Sequence, residues 1–310
     1  MSMARRQDAV HVRAPGKINV YLGVGPRHDD GYHALATVFQ AVSLYEDVYA
    51  HPSDGFTLEV SGDVDIDGVP TDDRNLALRA AKLLAQTTGV TQGVHLDIRK
   101  GVPVAGGMGG GSTDAAAALV ACDALWGTDL GPRGLHDLAA RLGADVPFAL
   151  HGGTAVGTGR GDVLTPALAR GRFDWVLVLS AQGLSTPAVY GRLDRLRAHG
   201  EALADDPTEM LEVPAAVLQA LRAGDARELA PVMLNDLEAA AVVDRPDLEQ
   251  TLADGVRLGA LTGIVSGSGP TTAFLCEGPE AARAVQDELR ATGREALHVH
   301  GPVPGARIMG

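Results

Sequence analysis

Between Gly106 and Gly111 five of six residues are glycine, broken only by Met108. On one side Val94-His95-Leu96-Asp97-Ile98-Arg99 alternates apolar and polar residues, the period-two pattern of a strand with one buried face. On the other side Ser112-Thr113-Asp114 opens directly into an alanine-rich stretch that favours helix. The order is therefore strand, glycine loop, helix. Glycine in ordered structure costs roughly 0.5–1 kcal/mol per residue relative to alanine, so such a run is expected where the backbone must adopt positive φ or approach a ligand closely. Successive N–H groups can then point into one concavity, and the free N–H groups of the first helical turn favour an anion there. Ser112 or Thr113 is the expected helix N-cap. A flexible, capped surface loop is the plainer alternative.

Two other phosphate-binding patterns do not fit. A Walker A loop ends in Gly-Lys-Ser/Thr, whereas this one ends Gly111-Ser112-Thr113 with no lysine. The dinucleotide pattern G-x-G-x-x-G fails from Gly107, where the last position is Ser112, and from Gly109, where it is Asp114. A nucleotide-dependent oxidoreductase loses its main support.

The net charge of −13 opposes the broad basic surface that nucleic acid or anionic lipid requires, so neither is an expected partner. An anionic substrate would need a local pocket of N–H groups and a few cations. Cys122 and Cys276 stand far apart with no C-x-x-C pair, so neither a disulfide framework nor a thiolate metal site is expected, and a reducing cytoplasm fits. Met1 to Val10 carries Arg5 and Arg6 but no apolar core of a leader, and the best apolar run, Ala115–Trp126, is broken by Asp123 and well short of the roughly 20 residues of a membrane span.

Strands are expected at Ile18–Val24, Phe56–Val60, Trp175–Leu179, Thr271–Cys276 and Leu297–His300, besides Val94–Arg99. Helical spacing appears in Leu76–Ala85, Leu135–Leu142, Ala188–Ala198 and Ala281–Leu289. The mixture along the whole chain predicts an α+β class. Thr165–Arg172 is the expected boundary of two domains, about 1–170 and 171–310.

Phosphoryl transfer needs a cation, magnesium and a carboxylate to receive a hydroxyl proton. Ala14-Pro15-Gly16-Lys17-Ile18-Asn19 puts Lys17 and Asn19 two apart on one face of a strand. Gly143-Ala144-Asp145-Val146-Pro147-Phe148 follows a helix and sets Asp145 among apolar residues, where it must be paired, capping or functional. Each is equally an ordinary strand-edge or turn charge when taken alone. Gly263–Thr271 reads as strand, tight turn, strand, able to close over a ligand or simply a hairpin; Gly152–Gly161 is assigned to structure only.

Together these segments resemble the GHMP small-molecule kinases across nearly the whole chain. The loop Pro103-Val104-Ala105-Gly106-Gly107-Met108-Gly109-Gly110-Gly111-Ser112-Thr113 is similar to the family's phosphate loop. Asp30-Gly31-Tyr32-His33, Leu142–Phe148 and Ser185-Thr186-Pro187-Ala188-Val189-Tyr190 resemble members that phosphorylate a cytidine diphosphate-linked methylerythritol. The resemblance implies two domains, the first like domain 2 of ribosomal protein S5 and the second ferredoxin-like. It implies MgATP as phosphoryl donor, Lys17 and Asp145 as catalytic residues, Asn19 beside them, and Pro103 to Thr113 around the phosphates with Asn75 near the adenine. Tyr32, His33, Thr186 and Tyr190 would hold the substrate and its cytosine; no protein-held metal is implied, and the chain would act as a monomer or homodimer. The loop has Thr113 where many relatives have serine, the late turn Ser266–Thr271 departs from the usual threonines and alanine, and Tyr190 replaces a frequent phenylalanine. A GHMP kinase for mevalonate, homoserine or a sugar, and a non-catalytic nucleotide-binding relative, remain alternatives.

Overall fold

The structure, a computed structural model, describes residues 9–180, 182–200 and 211–310; Arg5 and Arg6 lie outside them. The N-terminal half is built on a long hairpin, β1 (Val10–Arg27) and β2 (His33–Ser53), followed by β3 (Phe56–Gly62), α1 (Leu76–Thr88), β4 (Gly93–Lys100) and α2 (Gly110–Trp126). Next come α3 (Gly131–Leu142), α4 (Val146–His151), β5 (Thr154–Thr158) and β6 (Val163–Pro166). The strand expected over Ile18–Val24 is thus the middle of a longer one. β2 escaped the sequence pattern because its first half is a nearly continuous buried run rather than an alternation.

The C-terminal half contains β7 (Phe173–Val178), α5 (Thr186–Ala198), α6 (Ala215–Ala223), α7 (Ala226–Leu229), β8 (Leu234–Asn235), α8 (Glu238–Asp244) and α9 (Asp247–Arg257). It continues through β9 (Thr262–Val265), β10 (Thr272–Cys276), α10 (Pro279–Ala291), β11 (Ala296–Gly301) and β12 (Arg307–Ile308).

The first sheet has eight strands, ordered β12-β1-β2-β4-β3, with β5 on β2, β6 on β5 and β8 on β1. Its inner face, including Val12, Val48, Ala50, Leu96 and Ile98, packs on Ala80 and Leu84 of α1 and Ala115 to Leu119 of α2. Small alanines let α2 sit close to the strands, which fixes where the glycine loop ends. The second sheet is antiparallel, β11-β7-β10-β9, with α9 and α10 against it, a ferredoxin-like unit. The chain passes between the sheets over residues 167–172. A cut near residue 170 separates them except for β8 and β12, which return to β1.

Candidate active site

Helix α2 begins at Gly110, and Gly109 caps it in the left-handed region at φ 75° without a side-chain cap bond. The cap expected at Ser112 or Thr113 is therefore displaced by one turn: the loop enters the helix through a conformation that glycine adopts freely and serine does not. Thr113 instead donates its hydroxyl to the carbonyls of Pro15 and Gly109, each at 3.1 Å, fastening the helix to β1. Gly107 is also left-handed, at φ 76°, and a Cβ there would lie 2.1 Å from the carbonyl oxygen of Ser266. The late turn between β9 and β10 thus rests directly on the loop. Asn235 holds that turn from below, donating to the carbonyls of Val265 and Gly267 at 2.8 and 2.7 Å.

A cavity of about 460 Å³ opens over this junction, lined by Gly106, Gly107, Gly109 to Ser112, Lys17, Asn19, Asp145, Thr186 and Tyr190 among others. The Lys17 backbone N–H donates to the carbonyl of Met108 at 3.1 Å, so the strand and the loop are in register. The Lys17 ammonium donates to Asn19 Oδ1 at 2.7 Å and stands 3.8 Å from Asp145 Oδ2. Asn19 is oriented in turn by Thr37, to whose hydroxyl it donates at 2.8 Å. Asp145 occupies the N-cap position of α4 but makes no cap bond, and its side chain is 33% exposed. It is paired and faces the cavity, rather than being sealed among the apolar neighbours its sequence shows.

Below the loop lies a buried charge cluster that sequence reading missed. Lys100, at the end of β4, pairs with Glu46 of β2 and, at 2.7 Å, with Asp114 of α2. Glu46 also accepts the N–H of Gly101 at 2.8 Å. Two carboxylates share one ammonium away from water; burial and then the Asp114 charge push Glu46 up to about 8, and burial raises Asp114 as well. The cluster joins both ends of the glycine segment to the sheet.

A second cavity of about 420 Å³ adjoins the first and shares Leu35, Arg160, Thr186 and Tyr190 with it. It is walled by Tyr32 of the β1–β2 connection, by His33 at the start of β2, and by Tyr190 and Asp194 of α5. The His33 and Tyr190 rings lie 5.1 Å apart at 34°, and His33 Nε2 sits 2.8 Å from Asp194 Oδ1. Burial, reinforced by the Asp145 charge, pushes the Tyr190 phenol up. Tyr32 is 56% exposed, and the Arg160 guanidinium lies over its ring at 4.0 Å while pairing with Asp30 at 2.6 Å. Thr186 meets Ser268 of the late turn, hydroxyl to hydroxyl at 2.8 Å.

Four expected residues line neither of these two cavities. Met108 is buried in the core and Thr113 is engaged as above. Val104 faces a separate cavity of about 240 Å³ that also meets Asp63, Asp65 and Asp67. Asn75 caps α1, accepting from Ala77 N and donating to the Pro70 carbonyl, while its neighbour Leu76 reaches the cavity. Arg160 is the opposite case: it sits in the glycine segment assigned to structure only, and it borders both cavities. Its flanking by Gly159 and Gly161 was the available signal.

Two family models match the chain, GHMP kinases N terminal domain over residues 75–153 and GHMP kinases C terminal over residues 217–295. The chain is 57% identical to the 4-diphosphocytidyl-2-C-methyl-D-erythritol kinase of Leifsonia xyli subsp. xyli, covering 97% of this chain and 99% of that one. Among solved structures it is similar to a 4-(cytidine 5'-diphospho)-2C-methyl-D-erythritol kinase, with a TM-score of 0.74, 32% identity, and coverage of 94% of this chain and 98% of that one. It also shares its fold with the homoserine kinase of Cytophaga hutchinsonii, at a TM-score of 0.73 but 18% identity, covering 100% and 99% of the two chains. Fold alone therefore does not choose the substrate; the glycine loop, the paired lysine and aspartate, and the matches over both halves establish that the chain belongs to the GHMP kinases.

Proposed function

We propose that this chain transfers the γ-phosphoryl group of ATP to the 2-hydroxyl of 4-diphosphocytidyl-2-C-methyl-D-erythritol, giving the 2-phosphate and ADP, a step of non-mevalonate isoprenoid biosynthesis. The observation that carries this reading is the Lys17–Asp145 pair, 3.8 Å apart at the meeting of a glycine-lined cavity and an aromatic one. The first suits a triphosphate, the second a pyrimidine base.

In this reading Asp145 receives the proton of the attacking hydroxyl, and Lys17, held by Asn19, orients that hydroxyl and offsets charge on the moving phosphoryl group. The N–H groups of Gly106 to Ser112 hold the ATP phosphates. His33 and Tyr190 hold the cytosine, with Asp194 fixing the imidazole, and Arg160 lies at the join of the cavities, where the substrate's diphosphate must pass. Magnesium takes oxygen ligands, and the Asp145 carboxylate and Ser112 hydroxyl that border the cavity are of that type. When bound it would neutralise charge on the ATP phosphates. The reading includes a cytoplasmic enzyme, working as monomer or homodimer, with Cys122 and Cys276 as free buried thiols.

The test is a coupled ADP-release assay with MgATP and the cytidine diphosphate-linked substrate, run beside mevalonate and homoserine. Turnover with the first alone supports the assignment. Turnover with either of the others, and none with the first, replaces it with another GHMP activity.

A further inference from the structure

The face of the first sheet turned away from α1 and α2 carries a group of side chains that phosphoryl transfer does not use. On β4, His95 and Asp97 point outward together, while Leu96 and Ile98 point into the core. Strand register sets His51 of β2 opposite His95, and sets Thr57 and Glu59 of β3 opposite His95 and Asp97. The result is a cross-strand cluster of two imidazoles and two carboxylates.

We propose that His95, Asp97 and Glu59, with His51 as a fourth ligand, form a binding site for a divalent cation of the zinc class. One ligand atom from each of Glu59, His95 and Asp97 lies within 4.8 Å of the others. Asp97 already bridges the two histidines, with Oδ1 3.0 Å from His95 Nε2 and Oδ2 3.0 Å from His51 Nε2. Nitrogen and oxygen donors bind zinc at about 2.0–2.2 Å, so atoms around a four-coordinate ion stand roughly 3–3.5 Å from one another. Binding would draw the three ligand atoms, now within 4.8 Å, together to that range, and His51 would join them through its contact with Asp97.

A second feature matches the arrangement usual for a metal-binding histidine. His95 Nδ1 lies 2.7 Å from the Thr57 hydroxyl. A hydroxyl both donates and accepts, so it can accept a hydrogen bond from Nδ1–H and leave the Nε2 lone pair free for an ion. Loading then exchanges the contacts of the two Nε2 atoms with Asp97 for the ion, with the single ring proton of neutral His95 on Nδ1. Imidazole with carboxylate favours zinc, cobalt or nickel over magnesium, which prefers an all-oxygen octahedron. The neighbouring cation Arg99 is turned onto the Tyr49 ring, 5.2 Å from its centroid.

The experiment uses the tag-free full chain with magnesium in excess, dialysed against zinc and separately titrated with cobalt while visible absorption is recorded. Wild type is expected to retain about one equivalent of zinc and to develop tetrahedral cobalt bands. His95→Ala and Asp97→Asn should lose both signals, and Thr57→Ala should weaken binding about tenfold or more. ADP release by each variant at the wild-type rate shows that it is folded. Absence of bound zinc in the wild type, or undiminished zinc and cobalt signals in folded His95→Ala, overturns the proposal and leaves the cluster a cross-strand hydrogen-bond network.

Discussion

Lys17 and Asp145 face each other across 3.8 Å, yet they come from opposite ends of the N-terminal half, one on the first strand and the other at the start of α4. Neither segment touches the other by local folding. They meet because α2 packs on β1 and α4 packs on α2, so the alanine-rich helix sets the separation.

Replacing Asp145 by Asn keeps the shape of the pair and removes the carboxylate proposed to accept the hydroxyl proton. The expected result is a fall in kcat of roughly 10²–10⁴ with ATP affinity retained. Steady-state turnover, with nucleotide binding measured separately, checks this; near-normal kcat would take Asp145 out of that role.

Gly107 and Gly111 belong to one loop but should respond differently to alanine. At Gly107 the backbone is left-handed and the added carbon would strike the Ser266 carbonyl, whereas at Gly111 the nearest atom is a Leu76 methyl at 3.7 Å. Gly107→Ala should therefore lower the melting temperature and raise the KM for ATP at least tenfold, through lost contact between loop and late turn. Gly111→Ala should melt like the wild type. Equal melting of the two variants would contradict the packing described.

The Glu46–Lys100–Asp114 cluster predicts a pH dependence of stability. Glu46 keeps its proton in the folded state up to about 8, while the unfolded chain releases it near the ordinary glutamate value. The folded state binds more protons between those limits, so stability falls as pH rises through them, by up to about 1.4 kcal/mol per pH unit for one proton. Denaturant unfolding of wild type and Glu46→Gln from pH 5 to 9 measures it. The variant should show a flatter profile; parallel profiles would assign the slope elsewhere.

On the substrate side, Arg160→Met should raise the KM for the cytidine diphosphate compound about tenfold and leave the KM for ATP nearly unchanged, since Arg160 stands beside Tyr32 rather than among the loop amides. Tyr190→Phe should be mild and Tyr190→Ala severe if the ring face holds the base. An Arg160 effect on ATP alone would move that residue to the nucleotide side.

Local chemistry made the glycine loop legible, together with β4 before it and the helix after it, because alternation, glycine density and alanine propensity all lie within one stretch. The helix start was misplaced by one turn because Ser112 and Thr113 are strong caps by type, whereas the cap in use is a left-handed glycine. Asp194 and Asn235 carry no local signal of that kind, and Arg160 only its two flanking glycines. Each acquires its place from a partner distant in sequence: Tyr32, His33 and the late turn. Asn75 shows the reverse limit, a polar residue whose amide is largely taken up by capping its own helix.

The strand that bears Lys17 and Asn19 is flanked on its outer edge by β8 and by β12, whose last paired residue is Ile308. Both of those neighbours follow β7 in the chain, so the edge of this strand is closed by segments that lie beyond the first strand of the second sheet. Without β12 the backbone of Val12 and Arg13 would present an open sheet edge, the kind of edge that recruits other strands.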